Sequence, residues 1–223
     1  VFDGFAPAIL GPLNLQGMIH TPFNGDHHIG EEIQKLVERF NVQTIIETGT
    51  WSAHSTREFA KLVPLVFTID ATHEHLLEEF GPNAVAELEA LNVGVILGDS
   101  SKVLPVLLQP NHQQRSIYPV LLYLDAHGGG ANGSNVNPLL EELDAIGAEP
   151  ACRDTCIICI HDFLVPGKPW GYNDGDWGRG FEPLSYELIK NKLPAIYPNG
   201  HQFYYNEEAA GCQRGIIYIH STR

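Results

Sequence analysis

The stretch Thr44-Ile45-Ile46-Glu47-Thr48-Gly49-Thr50-Trp51-Ser52-Ala53-His54-Ser55-Thr56 decides the fold. Thr44–Glu47 reads as a buried strand ending on an acid, and a helix is predicted near Ser55–Leu62. The loop between them holds one glycine among small residues, which lets a ligand come close to the backbone. It is not a dinucleotide fingerprint, because Gly-x-Gly-x-x-Gly is absent, nor a P-loop, because no Gly-Lys-Ser/Thr follows. The helix N-terminus near Ser55 and Thr56 offers unpaired N–H groups to a carboxylate or other anion.

Working outward, the chain keeps alternating between two periods. Strands are predicted at Leu65–Asp70, Val93–Asp99, Val120–Asp125 and Thr155–His161. Helices are predicted at His73–Phe80, Ala84–Leu91, Ser101–Leu108 and Asn137–Ile146. Upstream, Ile33, Leu36, Val37 and Phe40 recur at helical spacing in a helix starting near Gly30, with Glu31 and Glu32 at its positive end. Apolar strands separated by helices indicate a parallel sheet covered on both faces. The ending differs. After a helix near Pro183–Asn191, His201–Tyr205 and Gly215–His220 are joined by a short turn-rich segment, so they form an antiparallel hairpin. Residues 1–29 are read as an irregular arm and residues 30–223 as one Rossmann-like domain.

Composition narrows the function. With 13 basic and 27 acidic residues the net charge is −14, which repels phosphate backbones and anionic membrane surfaces. Nucleic acid and membranes are not expected partners. No apolar stretch approaches the roughly 20 residues needed to cross a bilayer. Val1–Phe5 lacks the basic and long apolar regions of a signal peptide. Cys156 and Cys159 have Cys-x-x-Cys spacing, yet strand geometry sends positions three apart to opposite faces. Cys152, Cys156, Cys159 and Cys212 are therefore read as thiols of a cytoplasmic protein rather than a zinc or redox motif.

The strand ends carry the chemistry. Glu47, Asp70, Asp99, Asp125 and the pair His161-Asp162 each close an otherwise apolar strand. In an open α/β sheet, ligands bind beyond these carboxyl ends, near the point where the strand order reverses. Any single acid there is as readily a helix cap or turn residue, but together they line one edge. Asp70, about 20 residues beyond the first loop, is placed to accept both hydroxyls of a ribose.

Glu-x-Gly-x-x-x-small-x-Ser-Thr, an acid after the second strand and Gly-Asp-Ser after the third resemble the class I S-adenosylmethionine-dependent methyltransferases. The likeness covers about residues 30–165. It implies a three-layer α/β sandwich with a mostly parallel seven-stranded sheet, order 3-2-1-4-5-7-6, and an antiparallel C-terminal hairpin. It implies that S-adenosylmethionine is held by Glu47, Thr48, Gly49, Thr50, Ser55, Asp70, Asp99, Ser100 and Asp125. Glu47 and Gly49 would serve the methionine end, Asp70 the ribose, and Asp99-Ser100 the adenine. The departure is Ala53, where the family usually carries Gly.

Asp125-Ala126-His127 and His161-Asp162 end adjacent strands and are similar to the paired motifs of small metal-dependent O-methyltransferases. The resemblance implies a divalent cation on Asp125, His161 and Asp162. Mg²⁺ suits the two carboxylates, while the imidazole tilts the choice toward Mn²⁺, Fe²⁺ or Zn²⁺. A cation on a substrate hydroxyl lowers its pKa, and His127 with Asp125 would handle the proton. The residues alone leave metal dependence open, since His161 also suits a hydrogen bond to a carbonyl. A mobile His27 or His28 is placed to reach the same site. Two Gly-rich loops, Gly128–Ser134 and Phe163–Phe181, would wall an acceptor pocket. The apolar arm Phe5–Pro22 would pack on a second copy in a homodimer. The expected activity is O-methylation of a small molecule. The alternatives are a non-methylating enzyme and a silent binding protein that keeps the nucleotide pocket.

Overall fold

The structure is a computed structural model that describes residues 20–109, 117–126, 137–170 and 183–222. Seven strands form one sheet: β1 (Thr44–Thr48), β2 (Leu65–Asp70), β3 (Val93–Leu97), β4 (Val120–Leu124), β5 (Ile157–His161), β6 (His201–Tyr205) and β7 (Ile216–Ser221). Their order is β3-β2-β1-β4-β5-β7-β6. The first five strands are parallel, while β7 runs antiparallel to both β5 and β6. This is the expected topology, hairpin included.

The period-two alternation sorts the strand residues into two cores. Ile46, Ile69, Leu122, Leu124, Ile158, Ile160, Ile217 and Ile219 face one layer of helices. That layer comprises α5 (Ser100–Leu107), α6 (Leu139–Ala148), α7 (Tyr186–Ile189) and α8 (Leu193–Ile196). Ile45, Val66, Leu121, Tyr123, Cys159, Ile216 and Tyr218 face the other. There α1 (His27–Phe40), α2 (His54–Leu62), α3 (Glu74–Phe80) and α4 (Ala84–Glu89) cover the sheet. β1, β4, β5 and β7 are buried along their whole length because both faces are covered, which is why they read as continuous apolar runs. Cys156 and Cys159 fall in opposite cores as strand geometry requires, and with Cys152 they are buried thiols.

Two of the boundaries that differ from expectation have a clear physical cause. α1 begins at His27, because the Asp26 carboxylate accepts a hydrogen bond from His28 N (3.0 Å) and caps the helix. His27 and His28 are thus first-turn residues of a capped helix, with His28 Nε2 3.5 Å from Glu208 of the β6–β7 loop. The helix expected near 183–191 is two short helices. Pro194 lies in the first turn of α8, where a missing N–H costs nothing. The arm is anchored from residue 22 onward: Phe23 of the 3-10 turn Pro22–Gly25 is buried, its ring 5.5 Å from Phe59 and 6.2 Å from Tyr123. No helix among the described residues is long and apolar enough to cross a membrane.

Candidate active site

The strand order reverses between β1 and β4, where Thr48 pairs with Leu124. The loop after β1 crosses this crevice in close contact with the end of β4. Gly49 has φ +86°, and a Cβ there would lie 2.3 Å from the Asp125 carbonyl oxygen, so only glycine fits. Gly49 N donates to Ile69 O (2.8 Å) and Asp125 N to Thr48 O (2.9 Å), tying the ends of β1, β2 and β4 together.

Glu47 and Asp70 on this side are held by neutral donors. Glu47 is buried and accepts from the hydroxyls of Thr56 and Thr68 (2.7 Å for the latter), while Thr68 also meets the buried Thr50 hydroxyl at 2.7 Å. Burial pushes the Glu47 carboxyl up to about 8; the two threonine hydroxyls oppose the rise, and Asp125 and Asp70 add to it. Asp70 accepts from Trp51 N (2.8 Å) through one oxygen and from Thr72 N (3.1 Å) through the other. Its carboxylate is thereby fixed while its outer lone pairs stay open. Asp99 caps α5 through Ser101 N (3.1 Å) and pairs with Lys102 Nζ (2.6 Å), which with the Ser101 hydroxyl holds it below the usual carboxylate range. Ser55 accepts from Phe23 N (3.0 Å) and so anchors the arm. Thr48 and Ser100 are buried beside these groups.

The loop is strained at Trp51 (φ +47°) and Ala53 (φ +56°), both left-handed. Ala53 is the position that breaks the motif, and its conformation explains why glycine is favoured there.

At the neighbouring ends of β4 and β5 the groups are charged. His161 Nδ1 lies 3.2 Å from Asp125 Oδ1 and 3.5 Å from Asp162 Oδ1. Burial alone would keep the imidazole neutral, but Asp125 and Asp162 outweigh it and raise His161 to about 9. Asp125 is the most open of the three, its side chain 26 % exposed against 1 % for His161 and 11 % for Asp162. One donor atom from each lies within 4.8 Å of the other two, which is compatible with a shared cation.

Two groups escaped the sequence reading. Arg214, in the β6–β7 loop, brings Nε to 3.4 Å from Asp162 Oδ1. Glu142 on α6 is completely buried, and neither carboxylate oxygen forms a hydrogen bond. Burial raises it to about 7; the Ser100 and Thr48 hydroxyls oppose the rise, while Asp99 and Asp125 add to it. His127 and Gly128–Ser134 lie outside the described residues, as do most of the arm and the part of the second loop beyond Trp170.

No family model matches the sequence, and no curated protein matches it. Solved structures do resemble it. The O-methyltransferase TomG of Streptomyces achromogenes, involved in tomaymycin synthesis and solved with SAM, is 15 % identical with a TM-score of 0.57, covering 87 % of this chain and 80 % of its own. An O-methyltransferase from Bacillus cereus solved with SAH is 16 % identical with a TM-score of 0.52, covering 86 % and 80 %. A methyltransferase from Streptococcus mutans, named as putative and also solved with SAH, is 11 % identical with a TM-score of 0.51, covering 85 % and 94 %. At these identities the likeness is one of fold: the Rossmann-like fold of the S-adenosylmethionine-dependent methyltransferases.

Proposed function

We propose that this protein transfers the methyl group of S-adenosylmethionine to an oxygen of a small molecule. The observation that carries the reading is the division of one sheet edge into two adjoining parts. On one side of the switch point stand the glycine crossing at Gly49 and the fixed carboxylate of Asp70; on the other stand the converging Asp125, His161 and Asp162. The residues present fit the cofactor. Asp70, held by Trp51 N and Thr72 N, would accept the vicinal ribose hydroxyls, Ser100 and Asp99 would border the adenine, and Glu47, Thr48, Thr50 and Ser55 would form or brace the loop at the methionine end. The carboxylates of this edge favour a cationic ligand. When bound, S-adenosylmethionine supplies an electrophilic methyl group on a positively charged sulfur.

The remaining work falls to the protein. Asp125, the exposed member of its cluster, meets an acceptor hydroxyl and takes its hydrogen bond. His161 behind it shares a proton with Asp125, and Asp162 with Arg214 fixes the imidazole. The carboxylates of Asp125 and Asp162 have His161 and Arg214 as basic partners within the protein, so this reading does not require a metal. A second reading rests on the convergence of three donor atoms within 4.8 Å. In it Asp125, His161 and Asp162 hold a divalent cation, which would lower the pKa of the acceptor hydroxyl. That mixed oxygen and nitrogen set suits Mn²⁺, Fe²⁺ or Zn²⁺ better than Mg²⁺.

Calorimetric titration with S-adenosylmethionine and S-adenosylhomocysteine tests the main reading, and absence of binding by both refutes it. Binding of both with no methyl transfer across a panel of hydroxylated acceptors would identify a silent binding protein instead. Full turnover after exhaustive chelation rejects the metal-dependent form and leaves the metal-free one.

A further inference from the structure

A second cluster of potential ligands lies away from these residues. Its members are far apart in sequence: His20 at the start of the described arm, His54 at the first position of α2, and Glu79 near the end of α3. The Glu79 carboxylate sits between the two imidazoles. Its Oε2 is 2.8 Å from His20 Nδ1, and its Oε1 is 3.5 Å from His54 Nε2. One donor atom from each residue lies within 4.8 Å of the other two.

A short ion pair joins His20 to Glu79, whereas the His54–Glu79 pair is long, at 3.5 Å, and leaves His54 unsatisfied. The His54 Nε2 atom is buried and makes no hydrogen bond. The ring is held in this orientation by its edge contact with Phe80, at 5.3 Å between centroids. An imidazole nitrogen kept from water and left 3.5 Å from a carboxylate oxygen is costly as a hydrogen-bonding group and well placed as a metal ligand. Tetrahedral ligands at about 2.0–2.1 Å from an ion stand roughly 3.3 Å apart, so a small closing movement brings all three donors onto one centre. Two imidazole nitrogens and one carboxylate oxygen, with a fourth position for water, form a donor set that suits Zn²⁺.

We propose that His20, His54 and Glu79 bind a Zn²⁺ ion that fastens the arm to α2 and α3 beside the cofactor loop. The placement gives the ion a role in order rather than in chemistry. His54 directly follows the left-handed Ala53, and His20 precedes the Pro22–Gly25 turn whose Phe23 N binds Ser55. One centre would therefore hold three segments around the start of α2. None of its ligands belongs to the Asp125–His161–Asp162 cluster.

The test uses the full chain carrying Asp125→Ala and Asp162→Ala, so that only this centre is counted. Zn²⁺ is titrated by calorimetry, and Co²⁺ by the visible absorption that a tetrahedral nitrogen–oxygen site develops. The expected result is one equivalent of either metal, with affinity falling at least roughly a hundredfold on adding His54→Ala or Glu79→Gln. His20→Ala should weaken it as well, and binding indifferent to His20 overturns the fastening of the arm. No uptake by the parent chain, or uptake unchanged by His54→Ala and Glu79→Gln, overturns the site. If the double variant fails to fold, the same substitutions in the unaltered chain should remove one equivalent of bound Zn²⁺. Loss of none refutes the proposal in that format too.

Discussion

The two halves of the sheet edge hold their acids in opposite ways. Around β1, β2 and β3, Glu47 is held by threonine hydroxyls and Asp70 by backbone N–H groups, while Asp99 is a helix cap. Around β4 and β5, Asp125 and Asp162 meet an imidazole and a guanidinium. The first arrangement fixes geometry chiefly through neutral donors, with Lys102 on Asp99 as its one ion pair among the described residues. The second is a balance of charges that any proton, cation or substrate will shift. A cofactor that is bound the same way in every turnover needs the former, and an acceptor hydroxyl that must lose a proton needs the latter.

The sharpest way to break this contrast is to remove an acid from each half. Asp162→Ala leaves His161 and Arg214 without their shared carboxylate. Turnover should fall roughly 10²–10⁴-fold while the dissociation constant for S-adenosylhomocysteine changes little. Asp70→Ala should do the reverse, weakening cofactor binding about 10–100-fold, as expected for lost hydrogen bonds to a charged group, with kcat largely kept at saturating cofactor. Methyl-transfer assays and calorimetry on both variants decide it. Equal effects of both variants on both readouts would erase the distinction between the halves.

A smaller effect should appear in stability against pH. His161 is raised to about 9, so its contribution is complete below its unfolded pKa near 6.5 and is lost as pH rises through about 9. Glu47 and Glu142 are raised to about 8 and about 7 and favour the neutral form. Their cost is absent below the unfolded glutamate pKa of about 4.3 and grows until pH passes the folded values. All three therefore lower the Tm of the ligand-free protein between about pH 5 and pH 9. Glu142→Gln should flatten the acidic part of that decline and His161→Gln the alkaline part, by a few degrees each in thermal melts. A decline unaltered by Glu142→Gln would mean that this buried carboxyl does not titrate in the range.

These groups also show what a sequence reveals and what it hides. Both faces of β1, β4 and β5 are covered, so their residues must be apolar and an acid or imidazole at the end stands out. That made Glu47, Asp125 and His161 legible, while the strand order came from the family resemblance and the hairpin from the short segment joining the last two strands. Glu142 was hidden because Glu141 and Glu142 open a helix, where acids normally face solvent and favour the positive end. Only packing against the sheet turns Glu142 inward. Arg214 and the His20–His54–Glu79 cluster are assembled by contacts between distant segments, and no local spacing encodes them. Asp99 turned out to fill the helix-cap role that its position also allowed, whereas the part of Ser55 in anchoring the arm had no local signal.

The least effect is expected where the motif is broken, and it bears on how rigid the cofactor half is. Ala53 sits at φ +56° and is almost fully buried. Ala53→Gly removes the left-handed penalty of about 1–2 kcal/mol. It also loses a buried methyl group worth roughly 0.8 kcal/mol and adds the backbone entropy of glycine in the unfolded chain, about 0.4–1 kcal/mol. These terms nearly cancel, so stability should move by less than ~0.5 kcal/mol in urea unfolding. Cofactor affinity should move by less than about threefold, because Gly49, Asp70 and their hydrogen bonds keep the loop in place without the residue at 53. A large gain in affinity from Ala53→Gly would show instead that the loop adapts to the cofactor. The contrast would then lie in charge alone, and the order of the cofactor half would depend on the ligand.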